Sequence, residues 1–278
     1  MGSISDLHLA VPPLSCDSHL HVFDEISCKR PEVEDPPRPW GKDEYQALQS
    51  RLGLQRAVVV TPALYGTDNQ STLTAIEQLG KANTRGVAVV FPDVSDAELE
   101  VLHAGGVRGI RFSLFNPKRA ATTPDMIEPL AHRVQRLGWH IQLHLMPEQI
   151  VEHRALLGRL PVPLVFDHML RLGPLQAVTH DAVDLVADWV GQERCWIKLS
   201  GAYLNSKTHD HHDTVALAKA LVELAPHRTV WGSDWPHPTE QTYDPDDRAL
   251  LSLMTQWVPD DAQRYRIFVD NPAALYGF

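Results

Sequence analysis

The sequence carries two histidines separated by one residue, His19 and His21, near its amino terminus. Side chains across residues 15–23 alternate in character with a period of two, which predicts a β-strand. Both imidazoles then lie on the same side of that strand, roughly 6.5 Å apart along it. A pair of imidazoles at this spacing suits metal ligation or acid–base catalysis. A lone His-x-His is more often a partly solvated strand end, so its meaning depends on the strands that follow.

The rest of the chain alternates short apolar segments with helical ones. Eight segments have the length and apolar character of buried parallel strands, at 15–23, 56–61, 86–91, 106–113, 139–145, 162–167, 195–200 and 229–232. Cap residues and apolar periodicity predict helices at 43–52, 68–81, 95–103, 124–137, 147–157, 175–190, 213–224 and 247–257, with a further helix at 260–269. The proline-rich stretch 30–41 is predicted to be a long loop over the carboxyl end of the first strand.

Eight strand–helix units spaced by roughly thirty residues predict an α/β protein of the (β/α)8 TIM-barrel class, with an additional C-terminal helix. An open doubly wound sheet is the alternative, but no Gly-x-Gly-x-x-Gly follows the first strand. No change of composition and no Ser/Gly-rich linker divides the chain. We therefore expect residues 1–278 to form a single barrel domain.

The composition argues against several classes of function. The chain has 278 residues and a formal net charge of −10, so it offers no basic stripe for nucleic acid. Cys16, Cys28 and Cys195 are widely spaced and form no Cys-x-x-Cys, which argues against disulfides and a thiolate zinc site and fits a reducing cytoplasm. No signal peptide or membrane span is predicted. The expected partner is a small molecule, and a homo-oligomer is left open.

Catalytic groups of a (β/α)8 barrel lie at the carboxyl ends of its strands. The polar residues at the ends of the predicted strands are therefore the candidates for a shared site. They are His19, His21, Arg111, Ser113, Gln142, His144, Asp167, His168, Lys198, Ser200, Ser233 and Asp234.

Three of these histidines and one carboxylate suit a divalent metal. His19, His21, His144 and Asp234 would offer three imidazole nitrogens and one carboxylate oxygen to zinc or manganese, with a water completing the shell. Zinc would lower the pKa of that water toward about 7. Without a metal, Asp234 could act as general base toward water while the histidines polarise a carbonyl. Both routes are hydrolytic, and the residues alone leave the choice open.

Several motifs resemble those of the amidohydrolase superfamily. Three lie at predicted strand ends: Asp17-x-His19-x-His21, Phe166-Asp167-His168-Met169, and the most specific one, Trp231-Gly-Ser-Asp234-Trp-Pro-His-Pro238. The segments 66–69, 108–112 and 271–276 extend the resemblance over nearly the whole chain. Within the superfamily, the sequence is similar to the branch that includes 2-pyrone-4,6-dicarboxylate lactonase and enzymes that act on sugar-acid lactones.

This resemblance implies a hydrolase that opens a small carboxylated lactone by attack of an activated water. The ligand and catalytic positions of the superfamily carry over to His19, His21, His144, His168 and Asp234. Substrate contacts are expected from Arg111, Ser113 and Tyr203.

Three departures from the pyrone lactonase bear on metal and substrate. His144 stands where that metal-free enzyme has a tyrosine, which favours one bound divalent metal here. The pyrone lactonase binds the two carboxylates of its substrate with several arginines, but this sequence has Pro117 at one of those positions and no arginine in the loop 201–204. This difference favours another substrate, such as a sugar-acid lactone. Asp234 is present, whereas the related sugar-lactone isomerase has lost this aspartate, and its presence favours hydrolysis.

Other interpretations stay open at this point. A metal-dependent decarboxylase of the same superfamily would use a similar ligand set, and a non-catalytic barrel could keep the ligands as a metal- or anion-binding module. Arg111 could equally be a structural ion pair, and His168 could merely orient a neighbour. The segment 208–213 is rich in His and Asp, but a loop and helix cap is the favoured interpretation. Lys118, Arg119 and Arg171 lie on the loops after strands four and six and could help bind an anion, but exposed loop positions without a specific role are the favoured interpretation.

Overall fold

Eight parallel β-strands form the centre of the protein in a computed structural model, which describes residues 9–33, 40–176, 180–239 and 245–278. Each strand pairs with the next one along the chain. The strands are β1 (Cys16–Leu20), β2 (Arg56–Val60), β3 (Thr84–Ala88), β4 (Val107–Ser113), β5 (His140–His144), β6 (Leu164–Phe166), β7 (Cys195–Leu199) and β8 (Thr229–Trp231).

β8 returns to β1 and nearly closes a barrel. A parallel bridge joins Leu20 to Trp235, and the Asp234 amide donates to the His19 carbonyl at 2.8 Å. Gly232 is required at this seam, because a Cβ there would lie 2.8 Å from the His19 amide nitrogen. The predicted (β/α)8 barrel is thereby confirmed, and the seam brings the His-x-His strand beside the residues that follow β8.

Helices surround the barrel. They are α1 (Lys42–Leu52), α2 (Gln70–Leu79), α3 (Asp96–Ala104), α4 (Ile127–Val134), α5 (Pro147–Glu152), α6 (Arg154–Leu157), α7 (Asp181–Gly191), α8 (Ala202–Asn205), α9 (Val215–Leu224), α10 (Asp247–Ser252), α11 (Met254–Trp257), α12 (Asp261–Tyr265) and α13 (Asn271–Tyr276). Among the described residues, none of these helices has the length and apolar character needed to cross a membrane.

The predicted helix 175–190 begins later than expected, at Asp181. Gly173 and Gln176 form a turn, in which the Gln176 amide donates to the Gly173 carbonyl at 3.0 Å. The His180 side chain then accepts from the Ala182 amide and caps the helix. Residues 177–179 of the prediction lie outside the described part of the chain.

Other predicted boundaries also needed correction. The helix 147–157 breaks at His153, whose φ of −93° and ψ of 13° leave the helical region, and 247–257 breaks at Leu253, whose ψ of −27° is that of a tighter turn. The last helix does not end at residue 269, because a π-helical turn, Arg266–Asp270, carries it on into α13. The four-residue α8 was missed because it is too short to show periodicity. Residues 34–39 of the predicted proline-rich loop are not among those described.

β2 illustrates why the strands were recognisable. Ala57, Val58, Val59 and Val60 are all fully buried, since parallel strands are covered on both faces. Ala57 and Val59 belong to the large core shared with the surrounding helices, whereas Val58 and Val60 pack in a smaller cluster with Tyr276.

Residues of α13 close the base of the barrel. Tyr276 is fully buried, and its ring meets His140 edge-on with 5.5 Å between ring centroids. The Asn271 side-chain amide donates to the Thr229 carbonyl at 2.7 Å, which ties α13 to β8. The base is therefore sealed, and the opposite end carries the predicted site residues.

Candidate active site

Four of the predicted site residues meet at the carboxyl ends of β1, β6 and β8. His19 lies in β1, His21 lies just beyond it, His168 follows β6 and Asp234 follows β8. All four residues are at least 98% buried. Asp234 Oδ1 lies 3.5 Å from His19 Nε2, 3.6 Å from His21 Nε2 and 3.9 Å from His168 Nε2. One carboxylate oxygen therefore faces three imidazoles.

The two carboxylate oxygens of Asp234 have different surroundings. Oδ2 accepts a hydrogen bond of 2.5 Å from the Tyr203 hydroxyl, whereas Oδ1 is buried and receives no hydrogen bond of good geometry from the residues described. Burial alone would raise the pKa of Asp234, but the adjacent imidazoles, His168 foremost, hold it well below its ordinary value. Asp234 is thus an ionised carboxylate with one oxygen held in place and the other available to a cation or a proton.

Contacts of the Nδ1 atoms orient the two imidazoles of the His-x-His motif. His21 Nδ1 donates to the Val60 carbonyl at 2.7 Å, so Nε2 of the neutral ring carries a lone pair. His19 Nδ1 lies 3.2 Å from Asp167 Oδ1 and 3.3 Å from Lys198 Nζ; we assign its proton to Nδ1, facing the carboxylate. Burial holds the pKa of His19 well below its ordinary value. The two Nε2 atoms are 3.2 Å apart. Two imidazole lone pairs and a carboxylate oxygen are therefore directed at one space.

This donor set fits a divalent cation. The ligand atoms of His19, His21 and Asp234 lie within 4.8 Å of one another. Imidazole nitrogen and carboxylate oxygen are donors that zinc and manganese accept. Three electron-rich atoms at these distances repel one another unless a cation or a proton lies among them, and Asp234 Oδ1 has no such partner from the described residues. These three side chains are therefore the ones that would hold a metal.

His144, the predicted fourth ligand, lies to one side of that group. Its Nδ1 is 3.3 Å from Arg111 Nη2 and 3.4 Å from Ser113 Oγ. Its ring stacks on Phe115 at a centroid distance of 4.1 Å and meets His168 edge-on at 4.6 Å. Nε2 is buried without a hydrogen-bond partner, and burial holds the pKa of His144 well below its ordinary value. The ring is neutral, and because a guanidinium only donates, Nδ1 accepts from Arg111 and Nε2 carries the proton. The role of His144 as a metal ligand stays a prediction.

The loop after β7 fixes His168. Ser200 Oγ lies 2.9 Å from His168 Nδ1, within hydrogen-bond distance. Gly201, at a φ of +61°, packs so closely that a Cβ would lie 2.9 Å from the same nitrogen. Burial lowers the pKa of His168 to about 4, so the ring is neutral at neutral pH.

A second polar group lies next to His19 inside the barrel. Asp167 Oδ2 accepts from Arg111 Nε at 3.2 Å and from Gln142 Nε2 at 3.1 Å. Lys198 Nζ donates to Gln142 Oε1 at 2.7 Å and to the Ser18 carbonyl at 2.9 Å. Burial lowers the pKa of Lys198 to about 8. Arg111 is therefore engaged in the buried ion pair that the sequence left as one of two options.

Arg171 is not the exposed loop residue that was expected. It is half-buried, and its Nε and Nη1 atoms are buried without hydrogen-bond partners among the residues that the structure describes. Its guanidinium carbon lies 5.4 Å from the centre of the Phe115 ring. Burial lowers the pKa of Arg171, whereas the nearby Tyr203 and Asp234 raise it. The expectation was wrong because the turn after β6 has a left-handed backbone, which a periodicity analysis cannot detect.

The remaining predicted positions have structural partners. Ser113 contacts His144, and the Tyr203 hydroxyl is engaged by Asp234, so their contacts with substrate stay predictions. Lys118 is exposed, and the Arg119 carbonyl accepts from Arg30 Nη1 at 2.9 Å. In the segment 208–213, Asp213 accepts from Ser206 Oγ at 2.5 Å and from the Lys207 amide at 2.8 Å, as in a loop cap.

Three residues that support the site were missed. Asp17 accepts from the Ser233 amide at 2.9 Å and from the Ser233 hydroxyl at 2.6 Å, across the β1–β8 seam. His237 packs edge-on against Tyr203 at 5.3 Å, and Asn205 donates to two carbonyls of the turn after β6. Asp17 and His237 lie inside recognised motifs, which was a usable signal. Asn205 lies in a short segment that carries none.

Comparison with known proteins places this barrel in a family. The sequence model of the family described as Amidohydrolase matches residues 16–278. The chain therefore belongs to the amidohydrolase family, and the resemblance drawn from the motifs is confirmed.

Individual relatives cover almost the entire chain. The 4-sulfomuconolactone hydrolase of Rhizobium radiobacter is 34% identical over 98% of this chain and 92% of its own length. The 2-pyrone-4,6-dicarboxylate hydrolase of Comamonas testosteroni is 32% identical, over 96% of this chain and 91% of its own length. A probable 2-pyrone-4,6-dicarboxylic acid hydrolase of Acinetobacter baumannii, solved with citric acid bound, superposes with a TM-score of 0.82 at 27% identity, over 95% of this chain and 100% of that one.

Proposed function

We propose that this protein hydrolyses a small lactone that carries at least one carboxylate. The observation that carries the proposal is the open Asp234 Oδ1, which faces the His19, His21 and His168 imidazoles at 3.5–3.9 Å at the mouth of the barrel. A buried, ionised carboxylate with a free oxygen is suited to taking a proton from water. Relatives at 34% and 32% identity that are named as lactone hydrolases support the same reaction class.

Asp234 acts as general base in this reaction. Its Oδ1 takes a proton from water as the water oxygen bonds to the lactone carbonyl carbon. The carbonyl oxygen becomes negatively charged, and a cation at the mouth would stabilise that charge. When the ring C–O bond breaks, the departing oxygen takes the proton from the protonated Asp234, and the product is an open-chain acid that carries a new hydroxyl or enol. The Tyr203 hydroxyl holds Oδ2, so the direction of Oδ1 is fixed throughout.

A divalent metal would be held by His19, His21 and Asp234, and it would supply Lewis-acid polarisation of the carbonyl or of the attacking water. His21 keeps its Nε2 lone pair available because Nδ1 is tied to the Val60 carbonyl. His19 is oriented through its Nδ1 by Asp167, an arrangement that also tunes ligands in metal sites. We propose zinc or manganese as the ion.

Arg171 is the proposed contact for the carboxylate of the substrate. Its buried Nε and Nη1 atoms have no acceptor in the described part of the chain, whereas Arg111 already pairs with Asp167. A guanidinium offers paired N–H donors that match the two oxygens of a carboxylate. The charge of the substrate would thus be neutralised at the mouth of the barrel, next to the general base.

A lactone panel with metal analysis tests the proposal. Purified protein is assayed with 2-pyrone-4,6-dicarboxylate, a sugar-acid lactone and an uncharged lactone, before and after exhaustive chelation. We expect hydrolysis of a carboxylated lactone in preference to the uncharged one. Metal content is measured in parallel in His21→Ala and His144→Ala. Loss of metal from the first with retention in the second would match the group formed by His19, His21 and Asp234.

Two outcomes would contradict the proposal. Release of carbon dioxide without uptake of water would indicate a decarboxylase. Tight metal binding without turnover on any lactone of the panel would indicate a binding module. Full activity after chelation would be consistent with the proposed hydrolysis but would contradict the proposed metal.

A further inference from the structure

The turn after β6 has an unusual backbone. His168, Met169, Leu170 and Arg171 have φ values of 50°, 50°, 58° and 57°. Residues with side chains avoid this left-handed region, at a cost of roughly 1–2 kcal/mol each. None of the four is a glycine, so the surrounding structure has to hold this turn in place.

Asn205 bridges the two ends of this turn. Its Nδ2 donates to the His168 carbonyl at 3.2 Å and to the Leu172 carbonyl at 2.8 Å. The residue lies at the end of α8 and is 5% exposed. An amide nitrogen carries two protons, so it can satisfy both carbonyls at once, and the orientation of the amide is determined by these two acceptors.

The turn carries one functional group at each end. His168 at its start is also held by Ser200, which lies 2.9 Å from its Nδ1. Arg171 at its end has the Phe115 ring beneath it and two buried nitrogens without hydrogen-bond partners. The position of Arg171 therefore depends on the backbone of the turn more strongly than the position of His168 does.

We propose that Asn205 is a positioning residue for substrate recognition: by bracing the left-handed turn, it holds the guanidinium of Arg171 where the carboxylate of the substrate binds. The inference rests on the proposed function, because it takes Arg171 as the contact for the acid group. The hydrogen bonds of Asn205 run to the two carbonyls of the turn, and its role is therefore indirect. Its loss should impair binding of anionic ligands and leave the chemical step largely intact.

A double-mutant cycle tests the coupling between the two residues. Asn205→Asp keeps the size of the side chain but cannot donate to the two carbonyls. We expect Asn205→Asp and Arg171→Met each to raise KM for a carboxylated lactone by about tenfold, with kcat changed by less than about threefold. The double variant should be no worse than Arg171→Met alone. Multiplying effects would overturn the proposal, because Asn205 would then act independently of Arg171.

Binding of citrate provides a test that does not depend on turnover. Isothermal titration calorimetry with citrate, a tricarboxylate, should give a Kd raised by about tenfold in Asn205→Asp and in Arg171→Met. If the wild-type protein hydrolysed no lactone but these citrate results held, the proposed function would fail and the positioning role would stand. Unchanged citrate affinity in Asn205→Asp, with weaker affinity in Arg171→Met, would overturn the positioning role alone.

Hydrogen exchange locates the effect, and a neighbouring variant controls for it. Faster amide exchange in Asn205→Asp should be confined to residues 168–172. Ser206→Ala is the matched control, because Ser206 bonds Asp213 and Thr208 instead of the turn, and KM should be unchanged. If both Asn205→Asp and Asn205→Ala failed to fold, Asn205 would be a structural residue of the barrel and the proposal would be wrong.

Discussion

Asp17 and Asp234 are two buried aspartates on either side of the β1–β8 seam, and they differ in how completely they are hydrogen-bonded. Asp17 Oδ1 accepts from the His19 and Ser233 amides, and its Oδ2 accepts from the Ser233 and Tyr45 hydroxyls. Among the described residues, Asp234 receives one side-chain hydrogen bond, from Tyr203 to Oδ2, and its Oδ1 faces imidazoles. Two residues of the same type, in the same seam, therefore have different roles.

The comparison distinguishes a buried aspartate that stabilises the fold from one that is available to a ligand or a proton. Burial raises the pKa of Asp17 to about 6, whereas Asp234 is held well below its ordinary value despite equal burial. A buried polar group costs stability unless it is paired, so a protein keeps an unpaired one where a ligand or a proton will complete it. Asp17 joins two strands, and Asp234 is available for chemistry.

Asp234→Asn against Asp17→Asn is the strongest test of this difference. Asp234→Asn keeps the shape and removes the base, so kcat should fall by ~10²–10⁴-fold while the fold survives. In Asp17→Asn the remaining oxygen can still accept from the two amides, and kcat should stay within about threefold of wild type. Steady-state kinetics and circular dichroism on both variants provide the measurement. Equal losses of kcat would show that the two aspartates cannot be distinguished by their hydrogen bonds.

Arg111→Met and Arg171→Met extend the comparison to the cations. Arg111→Met leaves the buried Asp167 without one of its partners, and we expect the free energy of unfolding to fall by about 3 kcal/mol. The described residues include no carboxylate paired with Arg171, so Arg171→Met should change that free energy by less than about 0.5 kcal/mol. Urea denaturation provides both values. A larger stability loss in Arg171→Met than in Arg111→Met would reverse the assignment.

His140 tests whether an unpaired buried nitrogen always indicates function. Its Nε2 also lacks a partner, but it lies at the sealed base, and burial lowers the pKa of His140 to about 3. The unfolded chain takes up this proton near pH 6.5, so the contribution to stability is complete above about pH 6.5 and is lost as the pH falls toward 3.

The free energy of unfolding of the wild-type protein should fall as the pH is lowered from about 6.5 to 5. We expect this fall to be about 2 kcal/mol smaller in His140→Asn, with little change in kcat. Unfolding free energies of both proteins across this range provide the measurement. A fall in kcat comparable with that of Asp234→Asn would mean that His140 belongs to the site after all.

The smallest expected difference in kcat is between Tyr203→Phe and Tyr45→Phe. Each tyrosine donates to one of the two aspartates, Tyr203 to Asp234 at 2.5 Å and Tyr45 to Asp17 at 3.2 Å. Loss of one hydrogen bond that orients the base should lower kcat by about three- to tenfold. Tyr45→Phe should leave kcat unchanged. If Tyr203→Phe raised KM instead, the original prediction of a substrate contact would be supported.

Much of the barrel and part of the site could be predicted from the sequence. The apolar runs of the strands, such as 56–60, and the alternation around His19 and His21 are local patterns, and local patterns survive without tertiary information. Asp234 could be placed at the mouth because it directly follows a strand and lies in a specific motif. Helix ends were less predictable, because caps and turns such as the one at Gly173 depend on single hydrogen bonds.

The sequence by itself determined which residues stand at strand ends, and only the tertiary structure decided which of them pair. Arg111 and Asp167 are 56 residues apart, and Tyr203 and Asp234 are 31 apart, so neither contact follows from a local period. The exposure expected for Arg171 was wrong for the same reason, since the left-handed turn before it is stabilised by Asn205 from a different strand loop. The free-energy cost of burying a charged group depends on whether the group is paired. Its partners are distant in sequence, so the pairing is decided only in the folded barrel.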